Sequence, residues 1–145
     1  MSFLQTNGVE LLSKMGEHFF ISFVALLLGT LVAVPLGIAL TRSEKLSQYV
    51  ISFVSILQTV PSLALLALMI PLFGVGKLPA IVALFIYSLL PILRNTYIGI
   101  LGVRSDIVDA AKGMGMTSQQ QIWKVKVPLA APVIMSGIRL AGVYV

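Results

Sequence analysis

The segment Phe19–Leu40, FFISFVALLLGTLVAVPLGIAL, contains 22 consecutive residues without a charged side chain. As an α-helix it would be about 33 Å long at 1.5 Å per residue, which is enough to cross the hydrocarbon core of a bilayer. Gly29, Pro35 and Gly37 lie inside it, and a membrane helix tolerates such residues where a neighbouring helix packs closely. The segment therefore predicts a membrane-spanning helix inside a helix bundle.

The composition of the whole chain is that of a membrane protein. Of its 145 residues, 58% are hydrophobic and only 10% are charged, whereas about 25% of residues are charged in a soluble domain. The formal net charge is +5, but the basic residues cluster between apolar segments instead of following one stripe. That pattern favours contact with lipid headgroups over nucleic-acid binding. The chain has no cysteine, which excludes disulfides and thiolate chemistry.

Three further apolar runs follow along the chain. Tyr49–Phe73 is uncharged and is interrupted by Pro61 and Pro71. Leu78–Leu93 is short for a span unless the helix continues towards Tyr97. Pro128–Val145 carries a single charge. We expect an all-α, polytopic transmembrane helix bundle with about four spans, made of an N-terminal extracellular-side segment at residues 1–18 and a membrane domain at residues 19–145.

The basic side chains predict the orientation of these spans, because cytoplasmic loops carry an excess of lysine and arginine. Lys14 and Lys77 fall on one side of the expected bundle. Seven basic residues fall on the other side, which should be cytoplasmic: Arg42, Lys45, Arg94, Arg104, Lys112, Lys124 and Lys126. The N-terminus should then lie outside the cell membrane.

The longest polar stretch between apolar runs is Asp109–Pro128, DAAKGMGMTSQQQIWKVKVP. Ser105 can cap a short helix whose first turn holds carboxylates, and Gly115 supplies the left-handed backbone that ends such a helix. Thr117 and Gln120 have the spacing of a capping box, which predicts a second short helix ending before Pro128. We therefore expect two short helices joined by a glycine turn.

This polar stretch has two interpretations. Ala110 and Ala111 would let a soluble partner approach closely, and Trp123 is a large side chain of the kind found at interface hot spots. Alternatively, the stretch is a solvated linker in which these residues have no role. Local chemistry does not separate the two.

The spacing of the stretch resembles the EAA motif of ABC importer permeases of type I. That motif reads Glu-Ala-Ala, three residues, Gly, nine residues, then Ile-x-Leu-Pro. The chain has Asp109-Ala110-Ala111, then Gly115, then Val125-Lys126-Val127-Pro128, with Asp for Glu, Val for Ile and Val for Leu. The flanking sequences Gln58–Ala64 (QTVPSLA) and Leu90–Tyr97 (LPILRNTY) resemble the osmoprotectant branch, which imports glycine betaine, carnitine or choline.

The resemblance implies a role for the loop and a set of partners. It implies that the loop is a coupling helix docked on a separate ATPase subunit, which would bind ATP and Mg; no cofactor is expected on this chain itself. It also implies a second permease subunit, an extracellular binding protein or domain, and a fifth span beyond the chain end. The residues that it assigns to ATPase coupling are Asp109, Ala110, Ala111, Gly115, Trp123, Val125, Val127 and Pro128.

Polar residues inside the apolar runs are candidates for a translocation path, because a carbonyl freed by proline is tolerated at membrane depth where it faces protein or water. A packing kink explains them as well. The candidates are Gln58, Thr59, Pro61, Ser62, Tyr87 and Asn95, with Ser88 beside them. Arg139 could pair with a helix end or a carboxylate, or contact the substrate, and the sequence favours the first.

Enzyme chemistry has little support in the sequence. His18 is the only histidine, it has no paired carboxylate cluster or cysteine nearby, and no nucleotide-binding G-x-x-x-x-G-K-[ST] loop occurs. We expect no catalytic residue and no metal site. The alternatives to an osmoprotectant permease are an ABC permease for another small solute such as an amino acid, an ion-coupled secondary transporter, or a membrane scaffold. The ion-coupled carrier would be expected to bury carboxylates at mid-membrane, and the four runs contain none.

Overall fold

The computed structural model describes residues 3–145, with side-chain surroundings from residue 8 onward. Every regular element in this range is helical. The elements are α1 Phe3–Leu40, α2 Glu44–Thr59, α3 Ser62–Phe73, α4 Lys77–Leu101, α5 Ser105–Gly113, α6 Ser118–Gln121, a π-helical turn Ile122–Lys126 and α7 Val127–Tyr144. The expected all-α membrane bundle is confirmed.

The spans differ from the expected ones in two respects. The second apolar run is two helices, α2 and α3, that meet at an angle of 96°, because Val60 is extended and Pro61, the N-cap of α3, has no N–H to continue α2. Three helices are long and apolar enough to cross a membrane, or four if the bent pair counts as one span. Helix α1 also runs without a break from Phe3, so the boundary expected at residue 18 lies inside a helix.

Helices α1 and α4 run parallel, and small residues allow them to touch. A Cβ added at Gly29 would meet the Ser88 side chain, and one added at Gly37 would lie 2.8 Å from Thr96 Cβ. Lys77 Nζ at the start of α4 lies 3.1 Å from Glu17 Oε1 of α1. In the three contacts the residue numbers of the two partners differ by nearly the same amount. Helices α1 and α4 therefore pack against each other along one continuous line.

Helix α7 runs antiparallel to α4 and completes the bundle. Its buried face consists of Ala130, Ile134, Gly137 and Ala141, which recur at helical spacing. We call the end of the bundle that carries α5 and α6 the loop end, and the end that carries Glu17 and Lys77 the far end. Two clusters of buried apolar side chains lie between α1, α4 and α7 and hold the three helices together.

Candidate functional site

Helix α5 begins one residue earlier than expected. Its N-cap is Arg104, which makes no side-chain cap hydrogen bond, and Ser105 is already helical. Asp106 lies in the first turn, where its carboxylate faces the positive end of the helix dipole. The guanidinium of Arg104 donates to Asp106, with Nε 3.1 Å from Oδ1, so the start of the helix is held by an exposed ion pair.

The glycine turn has the geometry that the sequence predicted. Helix α5 ends at Gly113, and Gly115 has a φ of 79°, a left-handed conformation that side chains other than glycine rarely adopt. The N–H of Gly115 donates to Lys112 O at 3.0 Å, and the N–H of Met116 donates to Ala111 O at 3.2 Å. These bonds satisfy carbonyls at the helix end and set the direction in which the chain leaves α5.

The second helix of the loop begins as predicted but does not end where expected. Thr117 and Gln120 form the capping box: the Thr117 N–H donates to Gln120 Oε1 at 2.9 Å, and the Gln120 N–H donates to Thr117 Oγ1 at 3.3 Å. The helix then continues through the π-helical turn into α7, with the Val127 N–H bonded to Ile122 O. Pro128 has no N–H to offer Lys124, and a π turn accommodates that loss. The loop is thus rigidly continuous with a membrane helix.

Exposure separates the residues assigned to coupling into two groups. Asp109, Ala110, Gly115 and Pro128 are exposed, and Trp123 is 61% exposed. Ala111 is only 1% exposed, so the expectation that both alanines form the docking surface is wrong for Ala111. Val125 and Val127 are half-buried, and Val127 packs against the buried cluster at the loop end.

Sequence reasoning did not single out Met114, which is 72% exposed at the tip between the two loop helices. Its position between Gly113 and Gly115 was the available signal, because an apolar side chain on a glycine turn has no core to enter. Met114 extends the accessible surface formed by Ala110 and Gly115.

Three of the path candidates, Gln58, Ser62 and Tyr87, lie close together at the bend between α2 and α3. Gln58 Nε2 donates to Tyr87 O at 2.8 Å, and the Tyr87 hydroxyl donates to Val60 O. Ser62 and Tyr87 line a cavity of about 250 Å³ between α3 and α4. The carbonyl freed at the proline bend is therefore satisfied by a side chain of α4, which is a structural role for Tyr87.

The remaining path candidates make no contact with this cluster through their side chains. Thr59 is exposed and its hydroxyl donates to Ile56 O at 2.7 Å, while Pro61 is exposed at the bend itself. Asn95 lies two helical turns from Tyr87, donates to Pro91 O at 2.8 Å and packs against Gly137 of α7. Ser88 is fully buried against Gly29. The structure thus brings Gln58, Ser62 and Tyr87 together and leaves Asn95 and Ser88 in helix contacts.

Titratable groups are sparse in the part of the chain that the structure describes. No three His, Cys, Asp or Glu side chains there lie close enough to hold a metal ion. His18 is exposed near the far end of α1. The described residues thus present an accessible loop at one end of the bundle and a set of close helix contacts within it.

Comparison with known proteins identifies the family to which this helix arrangement belongs. A family model described as "Binding-protein-dependent transport system inner membrane component" matches residues 25–145. The chain belongs to this family. Membership confirms the resemblance drawn from the EAA-like spacing, and it makes the chain a membrane component of a transport system.

Several proteins that are similar to this chain are named as permeases for osmoprotectants. The chain is 62% identical over 144 residues to the glycine betaine/carnitine/choline transport system permease protein OpuCB of Bacillus subtilis (strain 168), and 60% identical over 144 residues to the choline transport system permease protein OpuBB of the same organism. It is 57% identical over 145 residues to the carnitine transport permease protein OpuCB of Listeria monocytogenes. These matches cover 99–100% of the chain, which spans 66% of the length of each of these relatives.

A solved structure of the MetNI methionine ABC transporter in an inward-facing conformation has the same fold. Its matching chain superposes with a TM-score of 0.85 at 25% identity, over 99% of this chain and 72% of that one. The helix order described above is therefore that of an ABC importer permease.

Proposed function

We propose that this chain is part of the transmembrane permease of an ATP-driven ABC importer for osmoprotectants such as glycine betaine, carnitine or choline. The observation that carries the proposal is the 62% identity, across 99% of the chain, to a permease named for those three solutes. The similarity to the MetNI structure supports the permease role independently, because it rests on the arrangement of the helices.

The α5–α6 loop is proposed as the surface that docks on a separate ATPase subunit, which binds Mg-ATP. Ala110, Met114 and Gly115 form an accessible strip without bulky charges, and Trp123 adds an exposed aromatic side chain. Exposed aromatic residues near small ones are typical of interface hot spots. Asp109 at the edge of the strip orients the docked surface through its charge.

Movement of the docked loop would pass directly into the bundle. Helix α6 continues through the π-helical turn into α7, and α7 packs along α4, which in turn packs along α1. A displacement of the loop therefore acts on all three helices as one body. With two such permeases facing each other, nucleotide-driven closure of the ATPases would open the path to one side and then to the other.

The proposal includes the orientation of the chain in the membrane. The loop end lies in the cytoplasm, and the far end lies outside, where a substrate-binding protein or domain delivers the solute. The excess of basic residues at the loop end supports this. No covalent chemistry is assigned to the chain, and ATP hydrolysis is assigned to the partner.

The test is co-purification of the full-length permease with the ATPase encoded beside it, together with uptake of glycine betaine in proteoliposomes. Gly115→Trp places a large side chain on the proposed docking strip, where an added Cβ meets nothing within 4 Å. We expect loss of ATPase association and at least tenfold slower uptake. Gly115→Asn is the backbone control, because asparagine tolerates the left-handed conformation, and it should keep most of both.

Gly8→Trp is the control for adding a tryptophan, since Gly8 also has open space around it and lies in α1 beyond Glu17, at the far end. Normal ATPase association by Gly115→Trp would refute the docking assignment. Uptake of a different solute by the wild-type complex, with none of the osmoprotectants carried, would refute the substrate assignment while keeping the permease.

A further inference from the structure

Arg139 is a charged residue near the middle of the membrane-crossing part of α7. It lies 13 residues beyond Lys126, or about 20 Å along the helix at 1.5 Å per residue. Gly137, two residues before it, touches Asn95 and Pro91 of α4, and Pro91 is 14 residues from Lys77 at the far end, again about 20 Å. Arg139 is therefore deep from both ends, since half of the hydrocarbon core is only about 15 Å, and Arg94, which directly precedes Asn95 in α4, lies at nearly the same depth.

The side chain of Arg139 points away from the rest of this chain. The buried face of α7 includes Gly137 and Ala141, and Arg139 lies about 200° around the helix from each, on the opposite side. Arg139 is exposed, and among the described residues it has no hydrogen-bond or ion-pair partner. The favoured sequence interpretation, a structural partner such as a helix end or a carboxylate, therefore has no support within this chain.

A guanidinium at this depth needs compensation, because it stays charged in proteins and is costly in hydrocarbon. Intramembrane charges almost always face a protein interior or a water-filled cavity. Ser136 is also exposed, one turn before Arg139 on the same side of α7. The guanidinium therefore requires a protein or aqueous environment on this side of α7, which also carries exposed Met135 and Val143.

The described residues of a second copy would not supply an anion at this depth. The chain has five carboxylate side chains, and each lies towards an end of the bundle. Glu10 and Glu17 lie at the far end of α1, Glu44 begins α2, and Asp106 and Asp109 are in α5. None of these carboxylates is at the depth of Arg139, so the described residues leave its guanidinium available to an anionic ligand.

We infer that Arg139 lines the translocation path and binds the carboxylate of zwitterionic substrates as they pass. The inference rests on the proposed function and deepens it. Glycine betaine and carnitine carry a carboxylate, whereas choline has the same trimethylammonium group with a hydroxyl in place of the acid. A guanidinium pairs well with a carboxylate and repels a cation that has none, so Arg139 discriminates within the osmoprotectants.

The first test compares uptake of glycine betaine and choline by the complete transporter in proteoliposomes, for wild type, Arg139→Gln and Arg139→Lys. We expect Arg139→Gln to lower glycine betaine uptake at least tenfold and to leave choline uptake unchanged or higher. Arg139→Lys keeps the charge and should restore part of the glycine betaine uptake. ATPase co-purification and the folded yield of each variant control for assembly.

The second test measures water access. In a background without other cysteines, Arg139→Cys should react with a water-soluble anionic thiol reagent, and choline, whose passage does not depend on the guanidinium, should slow that reaction. Leu140→Cys, the adjacent exposed residue on another side of α7, is the matched control and should react at least tenfold more slowly. Equal reactivity at the two positions, or none at residue 139 in a folded transporter, would overturn the inference.

The outcomes separate this inference from the proposed function. A wild-type transporter that carries neither solute refutes the proposed function and the inference with it. A wild-type transporter with normal uptake, in which Arg139→Gln loses both solutes equally or neither, refutes only the inference. If Arg139→Gln lowers the uptake of both solutes equally while the transporter still assembles, the guanidinium pairs with a carboxylate of a partner instead of the substrate.

Discussion

Replacing Gly137 by alanine tests the contact that holds α7 against α4. The added Cβ would lie 2.6 Å from Asn95 Cβ and 2.8 Å from Pro91 O, whereas non-bonded carbon atoms rest at about 3.5–4.0 Å. Neither neighbour can escape by rotating a flexible side chain, because one atom is a Cβ and the other belongs to the backbone. The two helices would have to separate by about 1 Å.

The expected effect follows from overpacking of a close contact, which costs about 1–3 kcal/mol. Gly142→Ala is the matched control, since it makes the same change in the same helix and its Cβ would lie 3.7 Å from Leu26 Cδ2, an ordinary contact distance. Helix propensity favours alanine over glycine equally at the two positions. The difference between the variants therefore isolates the steric term.

The assay is SDS-driven unfolding of the full-length permease in mixed micelles, with the folded fraction read from protease resistance. We expect Gly137→Ala to be less stable than Gly142→Ala by about 1–3 kcal/mol, about tenfold in the unfolding equilibrium for each 1.4 kcal/mol. Unfolding free energies that agree within about 0.5 kcal/mol would show that α4 and α7 are not packed as closely as described, and the reasoning would fail.

Two further predictions concern the bend and the π-helical turn. Tyr87→Phe removes the hydroxyl that donates to Val60 O, the carbonyl of a half-buried residue. Losing one hydrogen bond costs about 0.5–1.5 kcal/mol, so the same unfolding assay should show a loss of that size, with the exposed Tyr49→Phe as a neutral control. Equal stability of the two variants would contradict the role given to Tyr87. Pro128→Ala restores an N–H that can bond Lys124 O. This bond favours an α-helix in place of the π turn, and that change would rotate the loop relative to α7. We expect the number of ATP molecules hydrolysed per solute imported to rise severalfold, with folding intact. Pro132→Ala, a proline within α7 itself, is the matched control, and an unchanged ratio for Pro128→Ala would show that the turn does not set the loop angle.

Local sequence patterns were sufficient for several features of this chain. Charge-free runs long enough for a bilayer predicted the spans, because hydrocarbon excludes charged groups whatever the fold. The capping box at Thr117 and Gln120 and the left-handed Gly115 were predictable because each depends on bonds between residues three to five positions apart. The EAA-like spacing identified the family for the same reason, since the motif is contiguous.

Other features depend on neighbours that are distant in sequence, and only the tertiary structure decided them. Proline at residue 61 predicted a break, but the angle of 96° depends on how α3 packs against α4. The burial of Ala111 beside the exposed Ala110, and the direction in which Arg139 points, depend on which side of each helix meets the bundle. A residue's identity sets what its side chain can do, whereas long-range packing decides which side chains remain accessible to a partner or a substrate.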